Sequence, residues 1–350
     1  MSKTLTEHNN DSSSMRRRQP SGTTLIDVAK VAGVSPITVS RALNRPDQVS
    51  EKTREKVRRA VEQVGYIPNM LAGGLASRQS KLVAIFVPTI AHPIFAEMVQ
   101  AVMDELSRAG YQAILGLTGY QKETEETLFN AILGRRPDGI VLTGTQHSKL
   151  MRKRLIASGI PVVEAWDLCD DPIDMLVGFS HEQVGLEVAR HLYAKGYRRF
   201  AVVTAEDARG MRRYHALLDE LRHLGIDDVP TAFVPPPSSL NAGREKVCEL
   251  LDAGHRPEVV VCSSDTVAHG VLAEAASRGW TVPKDLAVMG FGELSNASRV
   301  YPSLSSVRLN GDKVGGLIAQ ALLERFKNPD AEVAPLRIDT GFTIIDREST

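Results

Sequence analysis

The stretch that decides the fold runs TTLIDVAKVAGVSPITVSRALN over residues 23–44. Thr24, followed three positions later by an aspartate, has the spacing of a capping box, which opens a helix. Gly33 supplies a residue that adopts positive φ without strain, as a tight turn requires. Ser35 and Pro36 are typical of a second helix start, because the hydroxyl caps the helix and proline lacks the N–H that would go unpaired. The stretch therefore predicts two short helices joined by a glycine turn.

A third helical pattern follows Ser50. Its apolar residues recur at i, i+3, i+4 and i+7 from Val57 onward, which indicates one buried face. In the second helix Val39 and Leu43 can pack back on the first, and this leaves hydroxyls and Arg41 on the other side. A short, hydroxyl-rich helix that carries an arginine has the shape that enters a major groove. The alternative, on pattern alone, is an ordinary helical cap on the rest of the chain.

The charge of the chain is unevenly distributed. The 350 residues carry a formal net charge of +0 at pH 7. Residues 16–78 nevertheless hold twelve Lys and Arg against five Asp and Glu. Such asymmetry favours a polyanion as partner of the basic part, although a solvated basic face would give the same count.

From Lys81 onward, apolar β-branched runs alternate with amphipathic stretches. The runs include LVAIFVPT at 82–89, DGIVLTGT at 138–145 and RRFAVVTA at 198–205. Strand–helix alternation predicts parallel sheets covered by helices, with ligands bound at the carboxyl ends of the strands. The pattern is long for one sheet, so we expect two α/β subdomains with a pocket between them. The strand near Ser305–Leu309 and the helix after it are expected to cross back to the first subdomain.

Several function classes lack support in the sequence. No GxSxG, GxGxxG or GxxxxGK[ST] motif occurs where the strand pattern would need it, so a hydrolase or a nucleotide site is not indicated. The three cysteines, Cys169, Cys248 and Cys262, form no CxxC and are interpreted as buried thiols. We therefore expect no catalytic set, metal or cofactor. The polar N-terminus lacks an apolar signal region and no apolar run could span a bilayer, which favours a cytoplasmic protein without a membrane partner.

Longer motifs make the interpretation specific. TLIDVAKVAGVSPITVSRALN, then VSEKTREKV and GYIPNMLAGGLASRQS, resemble the DNA-binding region of the lactose-repressor (LacI) family of transcriptional regulators. VGFSHEQVGLEVARHLYAKGYRRFAVV and VPKDLAVMGFGELSNASRVYPSLSSVR extend the resemblance over nearly the whole remaining chain. Within the family, VGF, PVVE and a GF followed by Gly are most similar to the gluconate-utilisation repressors.

The resemblance implies a fold and partners. The fold is an N-terminal all-α helix-turn-helix domain plus an α/β periplasmic-binding-protein-like body of two doubly wound parallel-sheet subdomains. The partners are palindromic operator DNA, a sugar acid or sugar as effector, and a second copy in a homodimer. The expected segments are a disordered tail (1–22), the helix-turn-helix domain (23–68), a hinge (69–79) and a ligand-binding and dimerisation domain (80–350). Within the last, subdomain one takes about 80–178 and 308–328, and subdomain two about 179–307 and 329–350.

The family's DNA contacts carry over onto the recognition helix and the hinge. Arg41 can pair with guanine, whereas Ile37 offers apolar contact to a base edge. In the hinge NMLAGGLAS, Leu75 matches a leucine that wedges into the minor groove, with Ala72 on the same helical side. The implied DNA-binding positions are Thr24, Ser35, Pro36, Ile37, Thr38, Ser40, Arg41, Asn69, Ala72 and Leu75.

The family's effector-binding residues can be matched to this sequence less exactly. Phe95 matches a ring that stacks on ligand, and Arg209, with Arg212 as runner-up, matches an arginine on ligand polar groups. The glycine that the family carries before the aromatic residue is missing from RGMRRYHAL. The alignment of Arg209 with the family's arginine can therefore shift by a few residues. The implied ligand-binding positions are Phe95, His147, Ser180, His181, Arg209, Arg212, Asp265 and Gly292.

Gly292 differs from the residue that the family carries at this position, and the difference affects which ligand the pocket accepts. Members that bind sugars and nucleosides carry an aspartate at this place, and losing a fixed carboxylate makes an anion easier to accept. This favours a sugar acid as effector, unless the adjacent Glu293 points inward. The alternatives are a regulator of a neutral or phosphorylated sugar and, more remotely, a sugar-binding protein or an α/β enzyme with no DNA role.

Overall fold

The computed structural model describes residues 23–67, 79–120, 122–328 and 336–350. The chain divides into two compact units, with the boundary between Arg78 and Gln79. The expected tail at 1–22 lies outside the described residues.

The N-terminal unit is helical, as the capping signals predict. Its helices are α1 (Leu25–Ala32), α2 (Pro36–Asn44) and α3 (Glu51–Val64), with a 3₁₀ turn at Pro46–Gln48. Gly33 ends α1 in the left-handed conformation, at φ 65°. Val28, Val39 and Val57 contribute to a small core in which the three helices meet, so the predicted packing of α2 and α3 is confirmed.

The second unit is an α/β body with two six-stranded sheets. The strands of the first sheet are β1 (Leu82–Val87), β2 (Gln112–Leu117), β3 (Gly139–Thr143), β4 (Val162–Ala165), β5 (Met175–Gly178) and β11 (Arg337–Asp339). They are ordered β11-β5-β4-β3-β1-β2 and all pair in parallel. The helices between residues 79 and 180 are α4 (Pro93–Arg108), α5 (Lys122–Leu133) and α6 (Lys149–Ser158).

The second sheet repeats the arrangement with one antiparallel edge. Its strands are β6 (Phe200–Ala205), β7 (Thr231–Val234), β8 (Val259–Cys262), β9 (Ala287–Gly292), β10 (Ser305–Arg308) and β12 (Thr343–Ile345). They are ordered β12-β10-β9-β8-β6-β7, and only β12 runs antiparallel to its neighbour. The remaining helices are α7 (His181–Ala194), α8 (Ala208–His223), α9 (Leu240–Asp252), α10 (Asp265–Ser277) and α11 (Gly311–Lys327). The expected class of two doubly wound sheets is confirmed.

Two of the expected subdomain assignments are wrong. Ser305–Arg308 pairs with β9, so this strand stays in the second sheet and only the helix after it returns to the first. That return is shown at Gly315 of α11, where an added Cβ would lie 2.6 Å from the Met98 carbonyl of α4. Arg337–Asp339 was assigned with subdomain two, but it pairs with β5 and extends the first sheet. A three-residue polar strand carries no periodicity, and only the open backbone edge of β5 determines its place.

The cysteines also differ from expectation. Cys262 is buried, as predicted, but Cys169 and Cys248 are only partly buried. Cys248 lies on α9 and donates to Asp252 at 3.2 Å, so its thiol is part of a polar helix surface. Within the described ranges, no helix combines the length and apolar character needed to cross a bilayer.

Candidate functional sites: a recognition helix and an interlobe cavity

The recognition helix α2 is fixed at its start by side-chain caps. The Ser35 hydroxyl accepts from the Thr38 N–H at 3.1 Å and lies 2.8 Å from the Thr38 hydroxyl. Thr24 forms the predicted capping box on α1, since its N–H donates to Asp27 at 2.9 Å and its hydroxyl accepts from the Asp27 N–H. Thr24 and Ser35, two of the implied DNA-binding residues, therefore cap the N-termini of α1 and α2 with their hydroxyls.

The exposed face of α2 presents the side chains suited to base edges. Ile37 is 64% exposed, so its apolar side chain is available to contact a base edge. Pro36 and Arg41 are also exposed, whereas Thr38 and Ser40 are partly buried. No ion pair involves the Arg41 guanidinium within the described residues, so its hydrogen-bond donors are free to pair with a base.

The arginines of α3, unlike Arg41, form ion pairs with glutamates of their own helix. Arg58 pairs with Glu55 at 2.8 Å and with Glu62 at 2.6 Å, and Arg59 pairs with Glu55 at 2.9 Å. Arg54 pairs with Glu51. These are exposed pairs within one helix, which contribute little to stability but reduce the charge offered to a phosphate backbone. Asn69, Ala72 and Leu75 of the expected hinge lie outside the described residues, and their DNA contacts stay predictions.

In the α/β body, a cavity opens between the two sheets at the carboxyl ends of their strands. Its space measures about 660 Å³ when the part open to solvent is included. We call it the inner compartment. The residues that line it are His92, Pro93, Ile94, Phe95, Tyr120, Trp166, Phe179, His181, Ala205, Asp207, Arg209, Arg213, Ser238, Ser263, Ser264, Asp265, Thr266, Phe291, Gly292, Leu294 and Leu309.

Aromatic rings form one wall of the inner compartment. Phe95 and Trp166 meet edge to face at 5.9 Å, and Trp166 meets Phe179 in the same way at 6.2 Å. The Trp166 indole N–H is directed at the Met98 sulfur, 2.9 Å away, which fixes the ring. The predicted position of Phe95 in the ligand pocket agrees with this placement, although the ring is already packed on protein. The wall is therefore rigid and apolar.

Two arginines of α8 face the inner compartment. Arg209 lies over the Phe95 ring, with its guanidinium carbon 5.4 Å from the ring centre. Arg213, one turn later, stacks on Phe291 at 3.8 Å. Arg213 also donates to His181 Nδ1 at 2.8 Å and to the Ser263 carbonyl at 3.1 Å. Burial lowers the pKa of Arg213 to about 10, so the group is still a cation at neutral pH.

The buried histidine next to Arg213 is neutral. The Nε2–H of His181 donates to the Trp166 carbonyl at 2.9 Å, which leaves Nδ1 as the acceptor for Arg213. Burial, reinforced by the Arg213 charge, holds the pKa of His181 well below its usual value of 6.5. His181 thus works as an uncharged hydrogen-bond acceptor that orients the guanidinium.

The neutral state of buried His181 predicts that the free energy of unfolding depends on pH. As the pH falls from 7.5 to 5.5, the unfolded chain takes up a proton that the folded His181 cannot, so the free energy of unfolding decreases. His92 and His269, whose pKa values are also lowered by burial, contribute in the same direction in both proteins, so the decrease in His181→Gln should be smaller than in the parent by about 1 kcal/mol. Urea unfolding of the parent and the variant at both pH values measures it. The same pH slope in both proteins would contradict the assignment.

The carboxylates of the inner compartment are held by neighbouring groups. Asp265, which is fully buried, accepts from the Ser306 hydroxyl at 2.6 Å and from the Leu294 N–H at 2.7 Å. Burial raises the pKa of Asp265. Asp207 caps α8, where its Oδ1 accepts from the N–H groups of residues 209 and 210 at 3.0 and 2.9 Å.

Neither Gly292 nor Glu293 places a carboxylate in the inner compartment, and this favours an anionic ligand. Gly292 lines the compartment at φ 117°, a conformation that other residues rarely adopt, so the backbone itself disfavours the family's aspartate there. The Glu293 carboxylate does not line the compartment. It pairs with Arg308 at 3.0 Å and also with Arg347.

A second, polar compartment adjoins the first and shares Tyr120, Asp207 and Arg209 with it. Burial raises the pKa of Tyr120 to about 12. Arg212 lines this outer compartment and pairs across the cleft with Asp167, which follows β4. His147 lines it as well, between Glu125 Oε1 and the Gly144 carbonyl, each 3.2 Å away.

The structure thus divides the predicted ligand residues into three groups. Five line the inner compartment: Phe95, His181, Arg209, Asp265 and Gly292. His147 and Arg212 line only the outer compartment. Ser180 lines neither, because its hydroxyl caps α7 by accepting from the Gln183 N–H at 3.0 Å. A serine directly before a helix is an N-cap signal, and Ser180 has that role here.

The sequence reasoning also missed residues that line the inner compartment. Arg213 lies four positions after Arg209, on the same face of one helix, and this spacing was a usable signal. Trp166 and Phe291 follow or end buried strands. His92 lies 3.4 Å from Ser238 across the cleft, a contact that no local pattern predicts. The described residues hold no group of three or more His, Cys, Asp or Glu placed to share a metal ion.

Comparisons with known proteins identify the family of the chain. Residues 24–69 match the family model described as "Bacterial regulatory proteins, lacI family", and residues 189–350 match a periplasmic binding protein-like domain. The chain is 37% identical over 329 residues to the HTH-type transcriptional regulator GntR of Pseudomonas aeruginosa, covering 93% of this chain and 95% of that protein.

Solved structures of similar proteins identify the same family. A LacI-family transcriptional regulator from Silicibacter pomeroyi superposes with a TM-score of 0.87 at 32% identity, over 93% of this chain and 98% of that one. A complex of the transcriptional regulator CelR with cellobiose gives 0.65 at 28% identity, over 93% and 99% of the two chains. The chain therefore belongs to the lacI family of bacterial regulatory proteins, and it is a DNA-binding transcriptional regulator.

Proposed function

We propose that this regulator represses genes of sugar-acid catabolism and that a sugar acid such as gluconate, bound in the inner compartment, lowers its affinity for operator DNA. One observation carries the proposal: the chain joins an exposed recognition helix with an uncommitted Arg41 to a separate small-molecule cavity lined by two arginines. As a DNA-binding protein it would act in the cytoplasm. No enzymatic activity is part of the proposal.

The operator is proposed to be palindromic and bound by a homodimer. One helix as short as α2 reads only a few base pairs, so twofold symmetry with two half-sites is the geometric solution. Arg41 would pair with guanine, Ile37 would contact an apolar base edge, and the α1 and α2 N-termini would approach phosphates. The hinge residues Asn69, Ala72 and Leu75 would add contacts in the minor groove.

A neutral sugar is the second candidate effector. Two aspartates line the inner compartment, and carboxylates commonly accept hydrogen bonds from sugar hydroxyls. The relative CelR was solved with cellobiose, which is uncharged. Against this, Asp265 and one oxygen of Asp207 already accept hydrogen bonds from protein groups, and two arginines, Arg209 and Arg213, line the same compartment.

The DNA part of the proposal is tested with Arg41→Ala. A random pool of duplexes enriched with the full chain is expected to yield a twofold-symmetric sequence. Arg41→Ala should bind that sequence roughly 10-fold more weakly, because a bidentate contact to guanine contributes about 1–3 kcal/mol of discrimination. Binding to an unrelated duplex should change much less. Fluorescence anisotropy at one fixed salt concentration measures both.

Arg58→Ala is the matched control, since Arg58 is already paired with two glutamates and should matter little on either duplex. Equal losses for Arg41→Ala on both duplexes would show that Arg41 contacts phosphate. An enriched sequence without symmetry would overturn the dimeric operator.

A further inference from the structure

The first residues of the α/β body are held by one carboxylate. Asp138, which comes directly before β3, accepts from the Ser80 N–H at 2.8 Å, from the Ser80 hydroxyl at 3.0 Å and from the Lys81 N–H at 2.9 Å. The Asp138 N–H in turn donates to the Leu82 carbonyl at 2.7 Å. We call the contacts of Asp138 with Ser80 and Lys81 the clamp, and they fix the backbone that leads into β1.

The second sheet has the same kind of contact in the equivalent place. Glu258, directly before β8, accepts from the Arg198 N–H at 2.8 Å and from the Arg199 N–H at 3.1 Å, and these two residues lead into β6. In each sheet the two strands involved are neighbours, β3 beside β1 and β8 beside β6. A carboxylate that holds the start of the neighbouring strand is thus a structural element of both sheets, and by itself it implies no role in DNA binding.

The two carboxylates differ in the chain that they hold. Arg198 follows α7 of the same body, whereas Ser80 comes shortly after residues 68–78, the connector to the helix-turn-helix unit. Lys81 has a φ of 55°, in the left-handed region that residues with a side chain rarely adopt. Such a conformation persists where the surrounding contacts enforce it. The clamp therefore fixes the backbone at the point where the connector joins the body.

The side chain of Lys81 links this point to helix α11. Its Nζ lies 4.1 Å from the centre of the Tyr111 ring, a cation–π contact. The Tyr111 ring stacks on Phe326, in the last turn of α11, with 4.8 Å between the ring centres. Phe326 also lies against the start of β3, since a Cβ added at Gly139 would be 2.7 Å from its Cζ. The end of α11 is therefore packed against both sides of the clamp.

The other end of α11 lies at the inner compartment. Leu309, just before the helix, lines this compartment. A Cβ added at Gly311, the first residue of α11, would lie 3.2 Å from the carbonyl of Ile94, which also lines it. The helix has 17 residues and spans about 25 Å. A shift of α11 at the cleft would therefore reach Phe326 through one rigid element.

We propose that Asp138 is a positioning residue for operator binding, because it fixes the point at which the connector joins the body, and that α11 carries the state of the effector compartment to the same point. Without the clamp, fewer molecules hold the connector in the arrangement that binds the operator, and the operator affinity falls in proportion. Only the response to effector rests on the proposed function. The effect of Asp138 on operator affinity is independent of it.

The test compares Asp138→Ala with Glu258→Ala, since the two substitutions remove the same kind of contact from the two sheets. Fluorescence anisotropy of the full chain at constant salt should show that Asp138→Ala binds the selected symmetric duplex roughly 10-fold more weakly than the parent. Binding to an unrelated duplex should change little, because it requires no fixed connector. Glu258→Ala should bind both duplexes like the parent, although it loses a comparable set of hydrogen bonds. Calorimetry with D-gluconate should give the parent affinity for both variants.

Two further variants separate positioning from folding. Asp138→Asn keeps one acceptor oxygen and must direct its amide N–H groups at a backbone N–H, so its operator affinity should fall between those of the parent and the Ala variant. It also gives the result if Asp138→Ala does not fold. Phe326→Leu removes the ring that stacks on Tyr111. It should bind the selected duplex nearly like the parent, but its response to saturating D-gluconate should shrink several-fold.

Three results would overturn the inference. Asp138→Ala and Asp138→Asn could bind the selected duplex like the parent. Asp138→Ala and Glu258→Ala could lose operator affinity by the same factor, which would show that the clamp acts only through stability. Phe326→Leu could respond fully to gluconate, which would contradict transmission through α11. A parent that binds the duplex but neither binds nor responds to D-gluconate contradicts the proposed function instead, and the comparison of Asp138→Ala with Glu258→Ala then still decides the role of Asp138.

Discussion

Val39→Asp is expected to abolish operator binding while leaving effector binding intact. Val39 is completely buried in the small core between α1, α2 and α3. An unpaired carboxylate at a buried site costs about 3–5 kcal/mol, and a unit of this size has little stability to spare. The helices that carry the recognition surface should therefore no longer pack, and affinity for the selected duplex should fall by more than about 100-fold.

Effector binding should not change, because every residue of the inner compartment belongs to the second compact unit. Val31→Asp is the matched control: it makes the same chemical change at an α1 position that is 45% exposed, and the helical unit should stay folded. Anisotropy with the selected duplex, calorimetry with D-gluconate and far-ultraviolet circular dichroism form the measurement. Operator affinity retained in Val39→Asp would show that DNA binding does not depend on the helix-turn-helix unit.

The sequence predicted the helical unit well because its signals are local. Thr24, Gly33, Ser35 and Pro36 each define a helix end through one side chain or one backbone conformation, and the structure shows each in that role. The order of strands and helices in the body was also accessible, since buried parallel strands appear as apolar runs. What the sequence lacked was information on pairing: Arg337–Asp339 joins the first sheet only because the edge of β5 is there to receive it.

The candidate effector site was predictable in position but not in detail. Phe95, predicted from the family resemblance, and His181 and Asp265, which follow strands, all line the inner compartment. The spacing of Arg213 from Arg209 indicated a shared helix face, but which face of α8 lines the compartment depends on how this helix packs on its neighbours. At Gly185 of α7 that packing is so close that an added Cβ would lie 2.2 Å from the Arg213 carbonyl. Arg209, Arg212 and Arg213 are near neighbours in sequence, yet one pairs across the cleft and two face the ligand compartment.

The second large effect concerns coupling between effector and DNA. Saturating D-gluconate is expected to weaken operator binding roughly 10- to 100-fold, the usual range for coupling between two sites. The physical basis is that residues from the two sheets meet across the cleft, through Arg212 with Asp167 and through His92 with Ser238. A ligand between them can shift the arrangement of the sheets only by the difference in its affinity for the two states. Residues 68–78 are the covalent connection through which such a shift reaches the helix-turn-helix unit.

One titration tests this account most directly: the affinity of the full chain for its selected symmetric duplex, at constant salt, with increasing D-gluconate and, in parallel, with D-glucitol, the corresponding uncharged polyol. The account predicts that gluconate weakens binding roughly 10- to 100-fold, that glucitol has no effect at the same concentrations, and that Arg213→Met, which removes one of the two arginines of the inner compartment, binds the duplex normally but no longer responds. Operator affinity that stays constant at gluconate concentrations which calorimetry shows to saturate the protein would contradict it.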